Sequence, residues 1–119
     1  LREYVAKVAK NTESLEREII LFLSAHTQEK IPYYAELEEY RKNYSNLKIT
    51  YTLTEQAPTN WTGLTKRINK EALEKITLDL PGKMPMIYVC GPTGFVEVVA
   101  NTLVEIGFNP HEIKTERFG

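Results

Sequence analysis

The sequence predicts an α/β fold: a doubly wound, mostly parallel sheet with helices on both faces. Strand-like runs alternate with amphipathic helical stretches along the whole chain, the pattern of successive strand–helix units. Glu18 to Ser24 (EIILFLS) is almost continuously apolar, as a parallel strand covered on both faces must be. The run Met86 to Val89 ends in Cys90-Gly91-Pro92 and passes at once into an amphipathic helix. That junction lies at the carboxyl end of a strand, where open α/β sheets bind their ligands.

The elements follow in order. Leu1, Tyr4, Val5, Val8 and Ala9 share one face at helical spacing, and Asn11-Thr12-Glu13-Ser14 breaks the stripe. Leu1 already sits on that stripe with no capping residue before it, which implies either an arbitrary chain end or an absent preceding strand and turn. After the strand at Glu18, Pro32 suits the first turn of a second helix, with Tyr33, Leu37, Tyr40 and Tyr44 as its buried stripe. Leu47 to Thr54 (LKITYTLT) is the second strand. A polar loop with Pro58, Trp61 and Gly63 leads to a short helix near Asn69 to Ile76. The strand at Met86 comes next, then a helix to Ile106 that Gly107 terminates, and Glu112 to Glu116 is the last strand.

Bulk composition narrows the function. The 119 residues make one domain, 1–119, with 42% hydrophobic and 26% charged residues. Net charge is −1 with the signs interspersed, so there is no electrostatic footprint for nucleic acid or anionic lipid. No run approaches the ~18 apolar residues of a membrane span, and no signal-peptide layout opens the chain, so a cytoplasmic protein is the expectation. The single cysteine excludes an internal disulfide and a four-cysteine metal or iron–sulfur site; no metal is expected.

Cys90-Gly91-Pro92-Thr93-Gly94-Phe95 holds the chemistry. Gly91 allows close backbone approach, Pro92 presets the helix start, and Thr93 with the free N–H groups can donate to a phosphate or an amide. Two familiar uses of such a turn fail. A phosphatase-like thiolate loop needs arginine where Val96 stands. A nucleophile elbow needs glycines where Tyr88 and Pro92 stand. A lone cysteine is otherwise a small buried hydrophobe.

The segment MIYVCGPTGF, with the closing Glu116-Arg117-Phe118-Gly119, resembles the pyridine-nucleotide domain of the ferredoxin–NADP reductase family of flavoproteins. The resemblance spans essentially the whole chain and implies an NAD(P)H-binding module of a flavin-dependent oxidoreductase. In this reading Cys90 and Glu116 orient the nicotinamide and Phe118 gates the flavin face. Ser24 and His26 approach the adenosine half. Family members selective for NADP carry Ser-Arg where Thr54-Glu55 stands. Glu55 would repel a 2′-phosphate and accept from a ribose hydroxyl, so the balance leans to NADH. Lys66 and Arg67 could restore phosphate binding or be solvated surface charges. Trp61 reads as a loop anchor.

The resemblance further implies FAD or FMN on a flavin domain outside this chain, and an electron-acceptor protein or domain as partner. The family's first strand, glycine-rich phosphate loop and Arg-x-Tyr-Ser/Thr flavin motif have no counterpart here. Its sheet order would put the missing strand between those at Glu18 and Met86, leaving either direct pairing of the two or a gap filled from elsewhere. The rival reading is a non-catalytic doubly wound interaction or signalling module. That class wants an acidic cluster at strand ends that carry Ser24, Thr54 and Cys90 instead.

Overall fold

The computed structural model describes residues 2–13, 17–56, 69–77 and 85–117. Its elements are α1 (Arg2–Glu13), β1 (Ile19–Thr27), α2 (Tyr34–Asn43), β2 (Leu47–Gln56), α3 (Lys70–Ile76), β3 (Met86–Gly91), α4 (Thr93–Ile106) and β4 (Ile113–Arg117). Short 3-10 turns at Gln28–Lys30 and Pro110–Glu112 precede α2 and β4. The four strands form one parallel sheet in the order β2-β1-β3-β4.

The centre of the sheet decides between the two arrangements left open by the sequence. β1 and β3 pair directly, with Ile19 opposite Met86 and Leu23 opposite Cys90. The Met86 amide bonds the Glu18 carbonyl at 3.0 Å and starts this ladder. No strand-wide gap lies between them. Two facing open edges would leave a row of buried N–H and C=O groups unpaired, and direct pairing removes that cost.

Strand alternation sorts the core into two layers. On one face Ile19, Leu21, Leu23, Leu47, Tyr51, Leu53, Tyr88 and Cys90 pack beneath Val8 of α1 and Leu37 of α2. On the other, Ile20, Phe22, Ile87 and Val89 pack beneath Leu73 of α3 and Val96, Val99 and Leu103 of α4. Helices therefore cover both faces, as the apolar run at Glu18 to Ser24 requires. Glu38 fastens α2 to β2: Tyr51 donates its hydroxyl to Oε2 at 2.8 Å, and Arg41 donates Nη2–H to Oε1 at 2.7 Å.

Several boundaries differ from the sequence expectation. α1 runs on through Asn11, Thr12 and Glu13, and the side chains of Asn11 and Thr12 find partners in the packed structure. Thr12 is fully buried and its hydroxyl donates to the Val8 carbonyl at 2.7 Å, while Asn11 donates to the Tyr88 hydroxyl at 2.6 Å. Pro32 lies ahead of α2 and not in its first turn. Tyr33, at φ 55°, makes the sharp left-handed entry instead, so helix begins at Tyr34. Tyr44 ends α2 and stacks on Tyr40, with ring centroids 5.9 Å apart. β3 extends two residues beyond Val89, through Cys90 and Gly91. Gly107 does end α4, its amide bonding the Leu103 carbonyl at 3.2 Å. None of the described helices is long and apolar enough to cross a membrane.

Candidate functional site

The carboxyl ends of β1, β2 and β3 open along one edge of the sheet, and the first turn of α4 stands at the same edge. Most of the expected site residues come together there. Cys90 occupies the penultimate position of β3, opposite Leu23 on one side and Glu116 on the other. Its side chain belongs to the layer beneath α1 and α2 and is fully buried. Burial, and then the neighbouring Glu116 charge, push the thiol up to about 12. Such a group stays protonated at neutral pH: it is a weak S–H donor and a poor nucleophile. The half-buried Glu116 sits in register beside it on β4.

Gly91 is set by space. A Cβ there would lie 2.9 Å from Phe95 Cδ2 and 3.2 Å from Ser24 Cβ, so only glycine lets β3 turn into α4 against β1. Pro92 is the N-cap of α4 and supplies no side-chain cap bond; the helix proper begins at Thr93. Thr93 and Gly94 are exposed, and no acidic side chain occupies the first turn. Amides that open a helix have no carbonyl of their own helix to bond, and they favour anions.

The ends of β1 and β2 make the second half of the edge. Ser24 and Thr52 are opposite one another in register, both about 1% exposed. The Thr52 hydroxyl oxygen is buried without a hydrogen-bond partner, a polar group that the sequence reading missed. In the sequence Thr52 falls in line with the polar Lys48, Thr50 and Thr54, and only the ladder places it against Ser24. Beyond it the register slips: Ala25 pairs with Leu53 but Thr27 pairs with Gln56. Two residues of β2, Thr54 and Glu55, therefore face one of β1, His26. His26 Nδ1 and Thr54 Oγ1 are 3.0 Å apart on the exposed rim. Bulges of this kind re-aim side chains beside functional sites and are rare between parallel strands.

Buried hydroxyl capacity, an uncapped helix start free of acids and a glycine-tight turn lie along one edge. These are suitable partners for a phosphorylated, hydroxyl-rich ligand. The Glu55 side chain, Trp61, Lys66, Arg67 and Phe118 lie outside the described residues. Among the described residues no group of three or more His, Cys, Asp or Glu side chains is placed to hold a metal ion.

Comparison with known proteins agrees with this geometry. A family model described as an oxidoreductase NAD-binding domain matches residues 1–101. NADH-cytochrome b5 reductase 1 of Dictyostelium discoideum is 31% identical over 111 residues, covering 93% of this chain and 38% of that protein. Flavohemoprotein B of the same organism is 28% identical over 111 residues, covering 87% of this chain and 24% of that protein. Among solved structures, flavohemoglobin from Malassezia yamatoensis with bound FAD and heme superposes with a TM-score of 0.65 at 29% identity, covering 98% of this chain and 27% of that one. The chain thus spans between about a quarter and two-fifths of the length of these relatives.

Proposed function

The chain belongs to the family of oxidoreductase NAD-binding domains, and from that premise we propose that it seats NAD(P)H for a flavin-dependent oxidoreductase. The observation that carries this reading is the convergence of Cys90, Gly91 and the uncapped start of α4 at the carboxyl edge of the sheet. When bound, the reduced nicotinamide supplies a hydride, and a flavin held by another domain of the intact protein accepts it.

This chain's residues position and exclude. Backbone amides of Thr93, Gly94 and Phe95 offer donors to the pyrophosphate or the carboxamide. The protonated Cys90 thiol and the Glu116 carboxylate define the floor on which the nicotinamide rests. Because the thiol is fully covered here, contact with the ring requires the side chains above it to part. Phe118 is the aromatic that yields as the ring approaches the flavin. Ser24, His26, Thr54 and Glu55 hold the adenosine end, and Glu55 tips selectivity toward NADH. Lys66 and Arg67 are the groups that would oppose it. The remaining partner is an electron acceptor, and the setting is cytoplasmic.

Anaerobic titration of the intact protein with NADH tests the reading. We expect the flavin absorbance to bleach stoichiometrically with NADH, and less readily with NADPH at equal concentration. A protein that carries no flavin, or whose flavin ignores both nucleotides, would remove the proposal.

A further inference from the structure

Ser24 touches the other half of the site. Along β1 it alternates with Ile20 and Phe22, which pack beneath α3 and α4, and its side chain is buried. Val89 shares that layer, so Gly91, two residues on, faces the same way, whereas Cys90 belongs to the opposite layer. Leu23 is opposite Cys90, which brings Ser24 level with Gly91. The approach is close: a Cβ at Gly91 would lie 3.2 Å from Ser24 Cβ, 3.4 Å from the Ser24 carbonyl oxygen and 2.9 Å from Phe95 Cδ2. Gly91 is therefore held between β1 and the first turn of α4, on the face away from the thiol. On its far side Ser24 stands opposite the equally buried Thr52.

This packing has a mechanical consequence. Cys90 and Pro92 flank Gly91 in the chain, so any displacement of Gly91 carries the thiol and the start of α4 with it. A close-packed interior does not absorb an added methyl group without side-chain or backbone shifts. Only a small side chain at position 24 leaves the turn where it is.

We propose that Ser24 is a positioning residue for hydride transfer: its small, buried side chain sets the Gly91 turn from behind, and with it Cys90 and the first amides of α4. This rests on the proposed seating of NAD(P)H at the carboxyl edge. It gives Ser24 a task at the nicotinamide half besides its place at the adenosine end.

Stopped-flow reduction of the flavin by saturating NADH in the intact protein tests it, alongside calorimetric binding of adenosine 5′-monophosphate. The series Ser24→Cys, Ser24→Thr and Ser24→Val adds bulk at one point, and Ser24→Thr keeps the hydroxyl. The limiting rate should fall along the series, by about tenfold at Ser24→Thr, because a shift of about 1 Å costs on the order of a hundredfold and one methyl moves the turn by less. Affinity for the monophosphate should fall far less than the rate. Thr52→Ala in the Ser24→Thr background opens room on the β2 side and should recover much of the rate. Ser24→Cys, the smallest change, reports even if Ser24→Val does not fold. A series that melts progressively earlier yet keeps the wild-type limiting rate would make Ser24 an ordinary core residue and overturn the proposal. Lost monophosphate affinity with an unchanged limiting rate would confine Ser24 to the adenosine end and overturn it too. A wild-type flavin that NADH does not reduce would instead remove the seating itself, and the positioning role with it.

Discussion

Cys90 is fully buried near the carboxyl end of β3. Its raised thiol has a stability consequence with a definite sign. The neutral form is favoured in the folded state, so the contribution is complete below the unfolded thiol's ordinary value of 9.0 and is lost as pH rises toward about 12. Tyr51 and Tyr88 are raised in the same direction, chiefly by burial, and add to the alkaline loss. We expect the melting temperature to fall as pH is raised above about 9, and less steeply in Cys90→Ala, as read by circular dichroism. A pH profile identical in the variant would show that Cys90 does not contribute. Gly91 gives the second residue-scale test. Gly91→Ala forces Phe95 or β1 to shift and should destabilise by about 1–3 kcal/mol. Adding Phe95→Leu should recover part of the loss. An unchanged melting temperature in the single variant would mean that the turn relaxes freely.

At the scale of elements, the sequence showed which segments are helix and which are strand, because periodicity and apolar runs are local properties. It misplaced boundaries where tertiary partners decide. Thr12 and Asn11 look like a helix stop by type, yet one returns its proton to Val8 and the other reaches Tyr88, far along the chain. Pro32 looked like a first-turn proline because nothing local announces the left-handed Tyr33. The α2–β2 junction depends on Glu38, whose carboxyl Arg41 holds below the usual carboxylate range against the opposing effect of burial, with help from Tyr51. A lowered carboxyl contributes stability above its unfolded value of 4.5 and loses it as pH falls. Glu38→Gln should therefore destabilise at neutral pH and converge with wild type in acid, which urea melts at the two pH values measure. Parallel curves at both would assign Glu38 no electrostatic role.

For the whole molecule, the fold class and the family were legible because MIYVCGPTGF joins a strand, a close turn and a helix start in one contiguous stretch. The sheet's centre was not legible. Whether β1 pairs with β3 depends on which strands are present to compete, not on the residues of either. The rim at the carboxyl ends of β1 and β2 was half legible: the family resemblance pointed to Ser24, His26, Thr54 and Glu55 at these strand ends. The slipped register that sets His26 against Thr54 comes from the ladder itself, as does the orphaned Thr52 hydroxyl.

The central claim is that the Cys90–Gly91 turn and Glu116 seat the nicotinamide. Stopped-flow reduction of the flavin by NADH in Cys90→Ala of the intact protein tests it most directly. Replacing a small thiol should cost stability of only about 1 kcal/mol. Misplacing the reacting carbon by about 1 Å should slow hydride transfer on the order of a hundredfold. The account predicts a near-normal melting temperature and flavin content with a strongly slowed reduction phase. A variant that melts much earlier but reduces its flavin at the wild-type rate would show Cys90 to be a core residue with no part in seating the ring.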